Sequence, residues 1–554
     1  MSILSTRRHN TPGKSQVQVE SGRSQSTSWP VLAHWGLVLL VLIAAVCMRL
    51  YHLDLPFDRD SYDEGVYWQS LRAMLNGGHL YTSIFYSQPP LFLLSTYPGF
   101  ALFGASLWSA RFGIALLSLL GFAGAYLLGR TLSGRLGGLV ALLLLLVDPL
   151  YLMQSQTIQA EASSVAFTFL ALAFAFLGWK QPDSWRGMCW AALCGLTFAL
   201  SLLCKLLCVS TIVPIGCLML ARVWQIANGK EGTSRRSWLP LLVGCAVALL
   251  AIAAGVLPYA ASFQNFWSEV WTFHSVASRV AALPRSENLA KIVTGLISFT
   301  TLAALYGLVV AFLRRDWRVL PAVAWLLVTL LALFYQQPLF VHHLIALEPP
   351  LITLALLCLP GLATSKGGQK KSLTRSDEPG SAPAPANPVQ QVPAMKTLVS
   401  RWRTDKLALL ISIGALLLLL AAGVGGFWQD IMYYQGADAY VAGPIIQQTL
   451  RVASDLHQAI RPDQQVVTDA QFIAALADRN TPPSLVDTSS VRVMTGYVTL
   501  AQLEQESMNP RVHAVLFYTS RFYYLHQLAG FHTWVAAHFH LLYRYSPTQE
   551  LWVR

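Results

Sequence analysis

Charge is what this chain has least of. Only 12% of its 554 residues are Asp, Glu, Lys or Arg, about half the roughly 25% usual for soluble domains. With 54% hydrophobic side chains, too little solvated surface remains for a string of soluble domains, and disordered, collagen-like and secreted disulfide-rich classes are excluded as the whole answer. Cysteine is absent from residues 429–554. The eight present (Cys47, Cys189, Cys194, Cys204, Cys208, Cys217, Cys245, Cys358) lie in or beside apolar runs. Neither a disulfide framework nor a zinc spacing results, and these cysteines read as small packing residues. No Gly-rich nucleotide loop opens a helix in the last 126 residues.

What is abundant is long apolar sequence. Spans are expected near 32–50, 107–129, 136–152, 160–179, 187–204, 206–222, 238–259, 292–313, 319–336, 341–361 and 407–428, each close to the roughly 20 residues that cross a bilayer core. That is about eleven transmembrane helices. Of the 39 Lys and Arg residues, 23 fall in the tail and loops on one side of this ladder, which makes that side cytoplasmic. The excess of +12 is thereby a matter of topology, and no nucleic-acid partner is needed. The N-terminus is then inside and the C-terminal region outside.

The expected organisation is a disordered cytoplasmic tail (1–31), a membrane module (32–361) with a long outer loop (51–106), a Lys- and Pro-rich disordered cytoplasmic linker (362–406), a last transmembrane helix (407–428) and an exported domain (429–554). In that domain the β-like runs QQVVTDAQ, PPSLVDTS and VHAVLFYT alternate with the helical patterns TLAQLEQESM and AGFHTWVAAHF. The alternation predicts a small α/β fold acting as a lid or acceptor platform.

The candidate chemistry gathers on the outer face. Asp58, Asp60, Asp63 and Glu64 follow the first span. From Asp63 the residues Tyr67, Leu71, Met74 and Leu75 define one face of a helix expected to lie in the membrane interface. Asp148 and Glu161 border a later outer turn. Lys205 stands between two apolar runs, where a charge costs a few kcal/mol unless it meets a partner or cavity. His274, Arg279, Arg285, His342 and His343 fall on the same face. Carboxylates beside cations at one membrane surface suit transfer between a lipid-borne anionic donor and an outside acceptor: the cations hold a phosphate, and a carboxylate takes a hydroxyl proton.

The ordered motifs DEGVYWQSLRAML, SQPPLFLL and FGASLWSARFGIALLS, followed by an acid opening a span at Glu161, resemble the GT-C superfamily of lipid-linked-sugar glycosyltransferases. The similarity is to the bacterial branch related to protein O-mannosyltransferases and aminoarabinose lipid A transferases, over about residues 32–360. The resemblance implies sugar transfer from a polyprenyl-phosphate carrier to an acceptor hydroxyl on the extracytoplasmic face. The acceptor, whether protein, glycan or glycolipid, is left open. It also implies that Asp63 is the catalytic base, with Glu64 and Glu161 as further catalytic acids. Arg59, Tyr67, Gln88, Lys205, His342 and His343 are the implied substrate contacts. Gln88 stands where relatives often carry Lys or His before Pro-Pro, and Leu206 where glycine often follows the lysine. A single displacement would invert the anomeric carbon. Whether a divalent metal ion takes part stays open; its candidate ligands are Asp63, Glu64, Glu161 and His274. A transporter or lipid flippase is the rival from another class and would call for inverted repeats.

Overall fold

A computed structural model of the chain describes residues 29–59, 62–181, 184–228, 238–359 and 394–554. The N-terminal tail, Asp60 and most of the 362–406 linker therefore lie outside the described residues.

The membrane module opens with α1 (Trp29–Leu50), α2 (Asp63–Leu75), α3 (Leu91–Phe103) and α4 (Leu107–Leu146). Inside α4 the backbone leaves helical geometry at Ser133 and at Gly134, whose φ is +72°. The chain reverses there: Gly129 and Gly137 meet so closely that a Cβ on Gly129 would lie 2.2 Å from the Gly137 carbonyl oxygen. Glycine makes both the left-handed turn and the contact possible, and the single helix is a hairpin of two arms. Next come α5 (Pro149–Ser155), α6 (Glu161–Lys180), α7 (Trp185–Cys204), α8 (Ile212–Ala227) and α9 (Leu239–Val256). A string of shorter pieces follows: α10 (Phe263–Trp267), α11 (Phe273–Val280), α12 (Arg285–Leu296), α13 (Phe299–Leu313), α14 (Val319–Tyr335) and α15 (Glu348–Leu356).

Among the described residues, seven helices are long and apolar enough to cross a bilayer, or eight if α12 and α13 count as one span. The protein is multi-pass, but length and composition do not reproduce the expected eleven. Three apolar helices, Leu91–Phe103, Val319–Tyr335 and Val341–Leu356, fall short of the length. The expected straight span at 292–313 is broken, since α12 and α13 meet at 81°. Ser298 caps the second piece by accepting from Thr301 N–H, which satisfies a backbone donor freed by the break.

Helix α16 runs from Ala394 to Ala442. It starts within the expected linker and continues past the end of the expected last span. The domain it carries adds α17 (Pro444–Ala459), β1 (Gln465–Thr468), α18 (Gln471–Leu476), α19 (Ser490–Met494), α20 (Leu500–Ser507), β2 (Val512–Phe517), α21 (Arg521–Tyr524), α22 (Phe531–His538), β3 (His540–Ser546) and β4 (Gln549–Val553). The sheet order is β1-β2-β4-β3, with β1 and β2 parallel and the other pairs antiparallel. The PPSLVDTS run forms no strand. Its prolines lead into a short 3-10 turn at Pro483–Leu485, because proline cannot donate to a ladder.

Helix α2 is enclosed by protein on all sides. Residues Glu64–Ala73 are all buried, enclosed between α3, α4 and α18. Gly65 is the contact point: a Cβ there would stand 2.4 Å from the backbone nitrogen of Phe472. Gly65→Val forces the two helices apart. Overpacking of this kind costs about 1–3 kcal/mol, so a lower midpoint of thermal unfolding and faster hydrogen exchange at residues 471–480 are expected.

Candidate active site

A cavity of about 1100 Å³ opens between the membrane helices and the C-terminal domain. Its walls include Arg59, Asp63, Tyr67, Gln88, Lys205, His274, His342 and His343. Eight of the expected site residues, from five separate stretches of sequence, thus face one space. Glu64 and Glu161 do not.

Asp63 opens α2, where the helix dipole favours a carboxylate, and Tyr67 follows one turn later on the same side. Glu64 points the other way and is fully buried. Its two oxygens accept from Arg111 Nε and Nη2, both at 2.7 Å, from Arg59 N–H at 2.9 Å and from Ile158 N–H at 3.1 Å. Arg111 spends its remaining donors on the carbonyls of Leu53, Leu55 and Phe57, at 2.7–3.0 Å. Glu64 has no reach to a substrate. It fastens the loop that presents Asp63.

Arg59 touches the cavity, but its guanidinium is committed to Gln156 Oε1 at 2.8 Å, to the carbonyl of His52 at 2.6 Å and to the Tyr433 hydroxyl. Lys205 sits at the C-terminus of α7 in extended backbone, just before a 3-10 turn over Leu206–Thr211. Its ammonium bonds Glu161 Oε1, and His342 Nε2 lies 3.4 Å from that oxygen. Glu161 Oε2 is buried with no hydrogen-bond partner. Glu161 therefore backs the cavity wall and orients Lys205. His274 Nε2 lies 2.7 Å from the Ser87 carbonyl and donates to it, next to Gln88.

Among the described residues, one group could offer three ligand atoms to a metal: Glu161, His342 and His343, all within 4.8 Å of one another. The other expected ligands, Asp63, Glu64 and His274, are not part of it. The group fits a resident metal poorly: Lys205 already places its positive charge on one Glu161 oxygen. His343 Nδ1 also accepts from Phe340 N–H at 3.3 Å and from the Gln336 amide at 2.9 Å, which places the ring proton on Nε2. A ligating histidine instead donates from its second nitrogen. The His343 Nε2 proton and the neighbouring Lys205 ammonium are donors, which suit an anion.

The C-terminal domain supplies the wall that the sequence did not announce, with Asp487, Ser489, Ser490 and Arg521. Tyr62, the residue before Asp63, is its latch. The Tyr62 hydroxyl accepts from Thr488 N–H at 2.8 Å and lies 3.4 Å from Asp487 Oδ1, while the Arg521 guanidinium covers the ring at 3.6 Å. Burial, with the Asp487 carboxylate adding to it, raises the Tyr62 phenol well above its ordinary value, so the hydroxyl keeps its proton. No local pattern marks these contacts, which join positions more than 400 residues apart.

Removing Arg111 tests the anchor. Arg111→Met leaves the Glu64 carboxylate buried and unpaired, at a cost of about 3–5 kcal/mol, whereas Asp63→Asn leaves the pair intact. Thermal unfolding in lipid nanodiscs is expected to show a large drop for the first variant and little change for the second.

Sequence and structure comparisons bear on this geometry. The family model described as dolichyl-phosphate-mannose-protein mannosyltransferase matches residues 87–257, the stretch that carries Gln88, Glu161 and Lys205. No curated protein matches the chain by sequence. Among solved structures, ArnT from Cupriavidus metallidurans in the apo state superimposes with a TM-score of 0.61 at 16% identity, over 94% of this chain and 98% of that one. The same protein bound to undecaprenyl phosphate gives 0.60 at 16%, over 95% and 98%. The apo oligosaccharyltransferase of Archaeoglobus fulgidus gives 0.50 at 14%, over 87% and 69%. The chain is a multi-pass membrane protein with the GT-C glycosyltransferase fold, and it resembles the ArnT and protein mannosyltransferase branch.

Proposed function

We propose that this protein transfers a sugar from a polyprenyl-phosphate donor to an acceptor hydroxyl on the extracytoplasmic face, in one inverting displacement with Asp63 as base. The observation that carries the reading is the cavity itself, which brings a helix-terminal carboxylate and a set of cationic and hydrogen-bond-donating side chains to one end of the membrane helices. The ArnT structure with undecaprenyl phosphate supports a carrier of this chemical class.

In this mechanism the acceptor oxygen forms the bond to the anomeric carbon as its proton passes to the Asp63 carboxylate. The bond from that carbon to the donor phosphate oxygen breaks, and its electron pair leaves with polyprenyl phosphate. Charge grows on the leaving phosphate, where Lys205 and the His343 Nε2 proton stabilise it. Glu161 holds Lys205 in place and shares it with the incoming anion. Gln88 contributes an amide where related chains often carry a cation, which leaves Lys205 and the histidines as the main phosphate contacts. The membrane orientation follows from the same assignment: the N-terminus faces the cytoplasm and the exported domain covers the active face.

The test is transfer by purified protein in nanodiscs from a panel of polyprenyl-phosphate sugars. Asp63→Asn is expected to lower turnover by about 10²–10⁴-fold, the usual worth of a general base, while undecaprenyl phosphate still binds. Lys205→Met is expected to weaken that binding as well as turnover. Turnover that survives Asp63→Asn would move the base elsewhere. Lipid movement across the bilayer without transfer would favour a flippase.

A further inference from the structure

The cavity has two chemically different ends. One belongs to the membrane helices, with Lys205, His274, His342 and His343. The other belongs to the exported domain and holds a carboxylate (Asp487), a guanidinium (Arg521) and two hydroxyls (Ser489, Ser490). Asp63 lies at the junction, since the residue before it, Tyr62, is clasped by Thr488 and Arg521. An inverting displacement places the incoming hydroxyl and the leaving group on opposite faces of the sugar ring. With the phosphate at the cationic membrane end, the acceptor has to arrive from the exported end.

We propose that the Asp487–Ser490 turn and Arg521 of the exported domain form the acceptor subsite, and that it recognises the hydroxyls of a carbohydrate acceptor, such as a glycan or the sugar of a glycolipid. This rests on the assignment of Asp63 as base. The groups are held in place. Arg521 Nη1 donates to the Asp469 carbonyl at 3.0 Å, its backbone N–H to Asp469 Oδ2 at 3.0 Å, and its guanidinium lies 3.6 Å over the Tyr62 ring. Asp487 Oδ1 takes the Ser489 N–H at 2.7 Å, which fixes the carboxylate while its other oxygen is not engaged by that bond. Neighbouring sugar hydroxyls both donate and accept, and a carboxylate next to a guanidinium and two hydroxyls meets both needs. Strand addition at an open sheet edge is one way to capture an extended peptide. The edge strands β1 and β3 contribute no residue to the cavity.

The experiment uses the full chain in nanodiscs. Undecaprenyl phosphate affinity is measured alongside binding of a mixed library of hexose and N-acetylhexosamine disaccharides, read by saturation-transfer NMR, and of Ser/Thr-containing peptides. In Arg521→Ala and separately in Asp487→Asn, disaccharide affinity is expected to fall at least tenfold, while undecaprenyl phosphate affinity stays within about twofold and certifies an intact fold. Unchanged disaccharide affinity in both variants overturns the proposal, and so does a loss confined to peptide binding. A wild-type protein that binds undecaprenyl phosphate but no saccharide also overturns it and leaves the donor reading standing. A wild-type protein that binds neither removes both.

Discussion

The ion pair between Glu64 and Arg111 is the constraint on which the site depends. Both side chains are fully removed from solvent, a state that is costly unless every charge-bearing atom is bonded. Here they are: Arg111 holds three loop carbonyls as well as Glu64, and Glu64 also takes two backbone N–H groups. One arginine on α4 thereby ties Leu53, Leu55 and Phe57 to Glu64. Asp63 stands beside Glu64 at the start of α2, and on the proposed reading that anchor pre-organises it as a base.

The polar groups at and behind the membrane end of the cavity occur where helices stop. Glu161 begins α6, Lys205 ends α7 and the two histidines lie in a 3-10 turn at Val341–Leu347. A lipid-facing helix interior has no partner for such groups, while helix ends meeting at a cavity provide both partners and solvent. The broken and shortened helices that spoil a tally of spans are the same features that make room for chemistry at one membrane face.

Much of this was legible from residue order alone. A carboxylate run after the first span, a lysine stranded between apolar runs and paired histidines before a proline-rich helix each violate local expectation, and each proved to border the cavity or its backing. Side-chain direction was not legible. Asp63 and Glu64 are adjacent and chemically alike, yet Arg111, 47 residues onward, turns one inward and leaves the other at the cavity. Glu161 is displaced from the wall by its own partner, Lys205. The Pro-rich run at 482–489 resembled a strand because apolar and β-prone residues surround its prolines. The true edge hairpin, β3–β4, carries exposed charge and aromatic residues that blur its alternation. The burial of α2 was equally hidden, because the surface that covers it comes from α18, some 400 residues away.

The C-terminal domain is held to the membrane module at several places, two of them besides the Tyr62 latch. Helix α18 presses on α2 at Gly65, and at the base of the domain α16 places the Tyr433 hydroxyl on Arg59 and the Tyr434 hydroxyl on Gln156 at 3.2 Å. Both grips act beside the residues that Arg111 ties together. Attachments flanking a single loop resist rocking better than any one alone, and Phe472, Ala475 and Val486 join Tyr67, Trp68 and Leu71 in one apolar cluster, so the C-terminal wall keeps its position relative to Asp63. The wall residues Asp487, Ser490 and Arg521 sit on turns and helix starts rather than in the sheet core. Substitution there can alter what the cavity accepts while the anchored loop and the cationic end stay as they are. On the proposed reading, acceptor choice and phosphate chemistry are separable properties, carried by different domains and joined through Tyr62.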